Sequence, residues 1–354
     1  MSSDEEGIQR GQFIGSKHSG RLKVLGVVLT LFGITLFSYF VYSVGIGEIA
    51  ANIGRFGWPG FVAILIIYFL RICIRANAWK LSVYEPYSLS VRDTVPAVII
   101  GEALSSIIPL GIVVSGTAKA VAVRKRVPLV VGLSSVATEN LFYSVTTSIF
   151  LILGALTFIR TFELEAGWET TIDVLIAVIA AVIAFLILLV LRQWHFASEI
   201  AEWIYRHGYF PGLLKDGRLQ VRLFENLIYG FYRRYTKRFL PIFLLEASYH
   251  LLGILEVWFI LSRISETGAF VLNAFLLESI SRLITIVFKL IPFVIGVDEA
   301  GAEFVAETVA IGAGIGVTLA IIRKGRIVFW AAVGVVLIIK RGLSWRRLVG
   351  SRVD

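Results

Sequence analysis

Cysteine and histidine are scarce in this 354-residue chain, which contains one cysteine and four histidines. A single cysteine, Cys73, excludes an intrachain disulfide and any metal cluster that needs several thiolates. The histidines, at positions 18, 195, 207 and 250, show no spacing typical of metal ligands. We therefore predict neither a bound metal nor a cofactor. Cys73 lies in an apolar run, and we interpret it as a packed thiol.

Motifs that mark common enzyme classes are also missing. The sequence has no Gly-Lys-Ser/Thr phosphate loop, no Gly-x-Ser-x-Gly elbow and no His-Glu-x-x-His pair. Residues 312–316 are glycine-rich but lie within an apolar run, which favours close helix packing over nucleotide binding. We predict no catalytic residues and expect a protein that is not an enzyme. Group transfer to a lipid-linked substrate is the alternative.

Charged residues make up only 17% of the chain, whereas 57% of the residues are hydrophobic. A soluble domain carries about 25% charged residues, and the mean hydropathy here is +0.82. Long runs with little charge predict an all-α, polytopic integral membrane protein with about seven or eight crossings. The chain has a formal net charge of +9. Its basic residues lie where the positive-inside rule places them, so this charge does not indicate nucleic-acid binding.

The charge distribution predicts one membrane domain between two tails. Residues 1–23 are interpreted as a flexible cytoplasmic tail and residues 342–354 as a basic cytoplasmic tail, which places the protein in the cell membrane with both termini inside. Residues 24–341 form a single transmembrane domain. Within it, residues 192–238 contain nine Lys/Arg against four Asp/Glu and are predicted to form amphipathic helices on the inner membrane surface.

The predicted crossings follow the apolar runs. A second helix is expected to begin at Trp58-Pro59, and residues 327–339 are short for a crossing, which needs about 20 residues. The other predicted crossings are residues 24–44, 127–159, 171–191, 239–261, 269–291 and 296–322.

Two apolar stretches are each interrupted by an Ile-Pro step, at Pro109 and at Pro292. Broken helices persist at membrane depth only where they are buried in protein or line a wet cavity. Two such breaks in corresponding positions are typical of the binding site of a transporter built from repeats. We predict two broken or re-entrant helical hairpins, one in each pseudo-repeat half, that meet around a common hydrated slot.

Ionisable residues inside apolar segments are the candidate site residues, because each costs at least a few kcal/mol in hydrocarbon. Glu278, Arg282 and Lys289 fall within about 60° of one another on a helix and predict a polar seam. Glu139 belongs to a stripe of polar residues that could be packing contacts between helices. A carboxylate is harder to explain in that way, so we favour a role facing the lumen.

Glu299, Glu303 and Glu307 repeat every four residues after the second break, and like charges at this spacing repel one another. They need a cation, a proton, a basic partner or water to coexist. Capping is the alternative for Asp298 and Glu299, which occupy the first turn of a helix.

Arg71 and Arg75 are neighbours on one helix face. Snorkelling to lipid phosphates is the favoured interpretation, and a clamp on a phosphate headgroup is the alternative. Glu102 and Lys119 flank the first break, and Lys119 could meet the same anion.

Glu246 and His250 share a face of their helix, whereas Glu256 is assigned to another face. A structural hydrogen bond between Glu246 and His250 and a proton relay are both open.

The segment from Pro292 to Glu299, followed by a helix rich in alanine and glycine and then by Arg323, resembles a family signature with Pro-rich and Gly-Val-x-Glu elements. The family is the flippase-like membrane domain of lysylphosphatidylglycerol synthases and its stand-alone relatives. Residues 106–126 are similar to the family's Pro-x-x-x-Gly break, and Glu139-Asn140 stands where many members have Glu-Arg. The resemblance covers residues 24–339.

The resemblance implies lipid handling, namely movement of a charged-headgroup lipid between leaflets. The lipid would be an aminoacylated phospholipid or a polyprenyl-phosphate carrier. On this view Asp298, Glu299 and Glu303 meet a cationic headgroup or coupling protons. Arg282, Lys289 and Lys119 then meet phosphate.

Three alternatives accompany this hypothesis. The chain could be a membrane transferase, an anchor that holds a separate glycosyltransferase or synthase through residues 192–238, or a transporter of a small water-soluble solute. Its expected partners are membrane lipids, with no nucleic acid.

Overall fold

The computed structural model describes residues 31–108, 111–162, 166–207, 211–265, 270–287, 294–312 and 314–341. Every regular element in these ranges is a helix, which confirms the all-α prediction. The helices are α1 Leu31–Val44, α2 Ile46–Leu81, α3 Val91–Ile107, α4 Gly111–Ala122, α5 Leu129–Thr161, α6 Ala166–Leu191, α7 Phe196–Arg206, α8 Pro211–Arg234, α9 Phe239–Ile264, α10 Val271–Val287, α11 Val297–Thr308 and α12 Ile315–Lys340.

Four helices of the described ranges are long and apolar enough to cross a membrane. They are α2, α5, the part of α6 at Thr170–Leu191, and α9 with the short turn before it at Thr236–Ile264. The shorter helix α1 is also apolar. These helices confirm a membrane protein, and the total of seven or eight crossings stays a prediction.

Helix α2 consists of two parts joined at a kink at Gly57, and its second part begins at Trp58-Pro59, as predicted. Gly57 interrupts the helix with φ 65° and ψ 173°, a conformation that glycine adopts easily. Pro59 follows this kink, where a missing backbone N–H costs little because the first turn has no partner for it. The long second part of α2 then carries Arg71 and Arg75 through the centre of the helix bundle.

The end of the chain also differs from the prediction of helices at residues 296–322 and 327–339. Helix α11 ends at Thr308, and α12 runs without interruption across the basic group near Arg323. The sequence suggested a boundary there because basic residues usually mark the membrane surface. Arg323 and Arg326 instead have carboxylate partners inside the protein, so the helix can continue.

The helices on either side of each break pack against each other. Helix α3 contacts α4 across the first break, and α10 contacts α11 across the second. After the second break, Gly296 has φ 83° and approaches α1 so closely that a Cβ there would lie 2.9 Å from the Phe37 amide nitrogen. Pro109, Pro292 and Lys289 lie outside the described residues, and the re-entrant nature of the hairpins stays a prediction.

Helix α2 is central to the bundle because it packs against α3, α5, α9 and α12. Helix α10 packs against α5, α9 and α11, while α12 contacts α2, α3, α9 and α11. Polar side chains on α2, α9, α10 and α12 are therefore brought to one shared interior.

Within residues 192–238, helices α7 and α8 pack against each other. The Glu225 carboxylate accepts hydrogen bonds from the backbone N–H groups of Ala197 and Ser198, at 2.8 and 3.3 Å. These contacts satisfy free donors in the first turn of α7. Helices in this segment are confirmed, and their position on the inner membrane surface stays a prediction.

Candidate functional site

Four arginines and two glutamates from α2, α9, α10 and α12 are joined in one buried network, which we name the arginine cluster. Its members are Arg71, Glu256, Glu278, Arg282, Arg323 and Arg326.

Glu278 is fully buried and binds three arginines. Its Oε1 lies 3.3 Å from Arg71 Nη2 and also contacts Arg282 Nη2, one turn along the same helix. Its Oε2 lies 2.8 Å from Arg323 Nη2. Two residues of the predicted polar seam, Glu278 and Arg282, therefore form an ion pair, and two further arginines share the same carboxylate.

Glu256 is the second acid of the cluster, and its side chain is 1% exposed. Its Oε2 lies 2.9 Å from Arg71 Nη1, and its Oε1 pairs with Arg326 Nη1. Arg71 thus bridges both glutamates.

The cluster carries more positive than negative charge. Its four guanidinium groups and two carboxylates give a formal charge of +2 within this set of contacts. The Nε–H groups of Arg71, Arg282 and Arg326 are buried and have no hydrogen-bond partner among the described residues. Buried unpaired donors and unbalanced charge are both costly. An anion with several oxygen acceptors would accept hydrogen bonds from these donors and would also balance the excess positive charge.

Aromatic rings hold the guanidinium groups in place. The Arg71 guanidinium lies 4.3 Å from the centre of the Tyr249 ring, and Arg326 lies 4.0 Å from the Tyr68 ring. Such cation–π contacts stabilise a cation that has lost water. Arg282 also lies over Tyr249, at 5.4 Å.

The cluster is open on one side. The Arg282 and Arg323 side chains each keep 12% exposure, whereas Arg71 keeps 1%. A ligand that reaches the cluster would therefore meet Arg282 and Arg323 first.

A second buried network, named here the Glu139 cluster, contains Arg75, Lys119, Glu139 and Glu246. Glu139 Oε1 accepts hydrogen bonds from Arg75 Nη2 and Nε at 2.7 and 3.0 Å. Lys119 Nζ lies 3.8 Å from Glu139 Oε2. This network joins α2, α4, α5 and α9.

Tyr143 connects the two clusters. Its hydroxyl accepts a hydrogen bond of 3.2 Å from Arg282 Nη1, and its ring lies 4.3 Å from the Arg75 guanidinium. Glu139 and Tyr143 on α5 therefore face the protein interior, and a role of Glu139 facing a lumen stays a prediction.

A match to a known family agrees with this arrangement. The sequence model described as the lysylphosphatidylglycerol synthase TM region matches residues 23–338, which include every member of both clusters. The chain belongs to the lysylphosphatidylglycerol synthase transmembrane family. No curated protein and no solved structure matches the chain. The predicted family is confirmed, and it assigns the chain to membrane lipid-related proteins.

The acids after the second break have local structural partners in this family member. Glu299 Oε2 accepts the Gly296 N–H at 2.8 Å, and Lys324 Nζ lies 2.8 Å from Glu299 Oε1 and 3.5 Å from Asp298 Oδ2. Capping and a basic partner together explain how these acids coexist.

Glu303 serves a different helix end. It accepts the backbone N–H groups of Gly314 at 2.5 Å and of Val317 at 3.1 Å, so it satisfies the start of α12. Asp298, Glu299 and Glu303 therefore each have partners that are not members of the arginine cluster.

Six of the predicted site residues lie in the two clusters. Arg71, Glu278 and Arg282 meet in the arginine cluster, and Arg75, Lys119 and Glu139 meet in the Glu139 cluster. Glu102 is linked to the arginine cluster, because the Tyr68 hydroxyl donates to Glu102 Oε2 at 2.8 Å while the Tyr68 ring packs on Arg326. The favoured snorkelling of Arg71 was wrong, since its side chain points into the protein.

Glu256, Arg323 and Arg326 are not among the predicted site residues. Glu256 is about 80° from Glu246 around an ideal helix, which predicts a different face. The buried stripe of α9 is wide enough to hold both acids, and Gly253 lies between them on it. Arg326 could have been found as a cation inside an apolar run.

The structure shows no hydrogen bond between His250 and Glu246. The His250 Nε2 atom pairs with Thr147 Oγ1 at 3.1 Å. Among the described residues, no group of three or more His, Cys, Asp or Glu is arranged to hold a metal.

Proposed function

We propose that this chain binds the phosphate of an anionic membrane lipid at the arginine cluster and moves that lipid between the leaflets. The observation that carries the proposal is the formal charge of +2 in a buried network with three unpaired Nε–H donors. Guanidinium groups suit phosphate because their donors form two parallel hydrogen bonds to its oxygens.

The pairing of the acids favours an anionic over a cationic headgroup. Glu299 and Asp298 contact Lys324, and Glu303 accepts backbone N–H groups. These carboxylates are already occupied, whereas arginine donors remain free. A cationic headgroup would add positive charge to a site that already has an excess.

The surroundings of the open side favour a lipid over a soluble anion. Ile286 lies one turn after Arg282 on α10 and is 46% exposed, and its neighbour Val287 is 52% exposed. Apolar side chains that face outward from a membrane helix contact lipid tails. A headgroup could therefore reach Arg282 sideways while its tails stay in the bilayer.

Purified protein in liposomes with a fluorescent lipid in both leaflets tests the proposal. A quencher added outside measures how fast the inner lipid appears, for phosphatidylglycerol and for zwitterionic phosphatidylcholine. We expect protein-dependent movement of phosphatidylglycerol. Arg282→Gln and Arg323→Gln should weaken it about 10- to 100-fold, because a hydrogen bond to a charged group contributes about 1.5–3 kcal/mol.

Arg126→Gln is the matched control, because it removes the same charge at a side chain that is 70% exposed. It should leave the rate unchanged. Equal rates for the control and for both cluster variants, or no movement by the unmodified protein, would contradict the proposal.

In this proposal the chain is a transporter of membrane lipids and not an enzyme. A transferase needs an activated donor, and the sequence contains no recognised donor-binding motif. Formation of a new lipid by the purified chain with an activated sugar or aminoacyl donor would favour the transferase alternative.

A further inference from the structure

Glu246 is a buried acid that no described donor satisfies. Its side chain is fully buried on α9, and no N–H or hydroxyl group among the described residues donates to either carboxyl oxygen. Glu139 Oε2 also lacks a hydrogen-bond donor. Helices α5 and α9 pack against each other, and the two carboxyl groups lie within hydrogen-bonding reach of one another in that interface.

A hydrogen bond between two carboxyl groups needs a proton, because an ionised carboxylate only accepts hydrogen bonds. Two adjacent buried carboxylates also repel each other, so one of them keeps its proton. The neighbouring cations determine which of the two carboxyl groups is ionised. Arg75 donates twice to Glu139 and Lys119 approaches it, so Glu139 is the ionised partner.

We propose that Glu246 and Glu139 together form a proton-binding site. The proton is bound to a Glu246 carboxyl oxygen and donated to Glu139 Oε2. Release of the proton leaves a second carboxylate at Glu246 and one free proton, so charge and atoms balance. The new charge then competes with Glu139 for Arg75 and Lys119.

The charged side chains inside the helices packed against α9 have other partners. Helix α2 presents Arg71 to the arginine cluster, α10 presents Glu278 and Arg282, and α12 presents Arg323 and Arg326. Lys324 of α12 instead pairs with Asp298 and Glu299. Arg238, just before α9, contacts Glu85.

The proton site contacts the arginine cluster through one residue. Arg75 lies against Tyr143, whose hydroxyl accepts a hydrogen bond from Arg282. A shift of Arg75 toward Glu246 would therefore reach the arginine cluster through this tyrosine. This coupling of proton binding to lipid movement rests on the proposed function, whereas proton binding itself does not.

Infrared difference spectra of the full chain in lipid nanodiscs, recorded from about pH 4 to about pH 9, test the proton site. We expect the carbonyl band of a protonated, buried carboxylic acid, which falls as the pH rises. Glu246→Gln should remove that band. His250→Gln is the matched control, because it removes a titratable group one turn away, and it should keep the band.

Absence of the band from the unmodified protein, or its full retention in Glu246→Gln, would overturn the proposal. If Glu246→Gln fails to fold, Glu246→Asp serves instead, and its band should persist with a shifted position. An unshifted band in that variant would also overturn the proposal.

Lipid movement measured against pH separates the two proposals. We expect the rate of the unmodified protein to change with pH and the Glu246→Gln rate to lose that dependence. A band that titrates without any lipid movement would contradict only the proposed function. Lipid movement without the band would contradict only the proton site.

Discussion

Gly253 on α9 lies directly against the Glu278 carboxylate of α10. A Cβ at position 253 would lie 3.0 Å from the Glu278 carboxyl carbon and 3.1 Å from Arg71 Nη2, and it would overlap the nearer carboxylate oxygen. The ion pair between Arg71 and Glu278 can form only because this position has no side chain. The centre of the arginine cluster thus depends on a residue without any polar group.

Gly253→Ala should destabilise the protein by about 3–5 kcal/mol, the cost of separating a buried ion pair. The measurement is the thermal unfolding midpoint of the purified protein in nanodiscs. Gly54→Ala is the matched control, because a Cβ at that helical position meets nothing within 4 Å. It should be neutral or slightly stabilising, since alanine favours helix by about 1 kcal/mol over glycine. Equal midpoints for the two variants would contradict this role of Gly253.

Glu256 and Arg326 give a test of charge balance in the arginine cluster. Glu256→Gln leaves four arginines with a single carboxylate, so it should cost about 3–5 kcal/mol. The double variant Glu256→Gln with Arg326→Met removes a positive charge as well. It should be more stable than the single variant, because the excess of positive charge returns to +2.

Thermal unfolding of both variants, with and without phosphatidylglycerol, measures this difference. Added anionic lipid should stabilise Glu256→Gln more than the unmodified protein, since it replaces the lost negative charge. A double variant that is less stable than the single one would argue against charge excess as the main cost.

Half of the arginine cluster was predictable from the sequence. Glu278 and Arg282 lie one turn apart on an otherwise apolar helix, and such pairs interact locally. Arg71 and Arg75 were also recognised as candidates. Their orientation toward the interior was not predictable, because a cation near the end of an apolar run can equally reach the membrane surface. Only the contacts with Glu256, Glu139 and Glu278 from other helices decide it.

The uninterrupted helix α12 is a part of the fold that local sequence did not predict. Arg323, Lys324 and Arg326 resemble a membrane boundary when only local charge is considered. Their partners Glu278, Glu299 and Glu256 are distant in sequence. Long-range ion pairing therefore overrides the local pattern, and a single sequence does not reveal it.

A substitution at Glu303 distinguishes a capping role from a substrate-binding role. Glu303→Ala removes the acceptor for the Gly314 and Val317 N–H groups, so it should cost about 1–2 kcal/mol in stability. Because Glu303 makes no contact with the arginine cluster, the preference for phosphatidylglycerol over phosphatidylcholine should stay unchanged. Unfolding midpoints and liposome rates measure the two effects. A lost headgroup preference at unchanged stability would restore Glu303 as a substrate-binding residue.

The hydrogen bonds of Asp93 allow a prediction of how low pH affects the stability of the start of α3. Hydrogen bonding from the Ser90 hydroxyl, the largest effect, lowers the pKa of Asp93, and the Ser90 backbone N–H acts in the same direction. A lowered pKa in the folded state means that the ionised form stabilises the fold above the carboxyl's ordinary range. That stabilisation is lost as the pH falls through the lowered value. Asp93→Asn should therefore reduce the unfolding midpoint at neutral pH by the equivalent of about 1 kcal/mol, and the difference from the unmodified protein should shrink in acid. A difference that grows as the pH falls would show that another group controls this helix end.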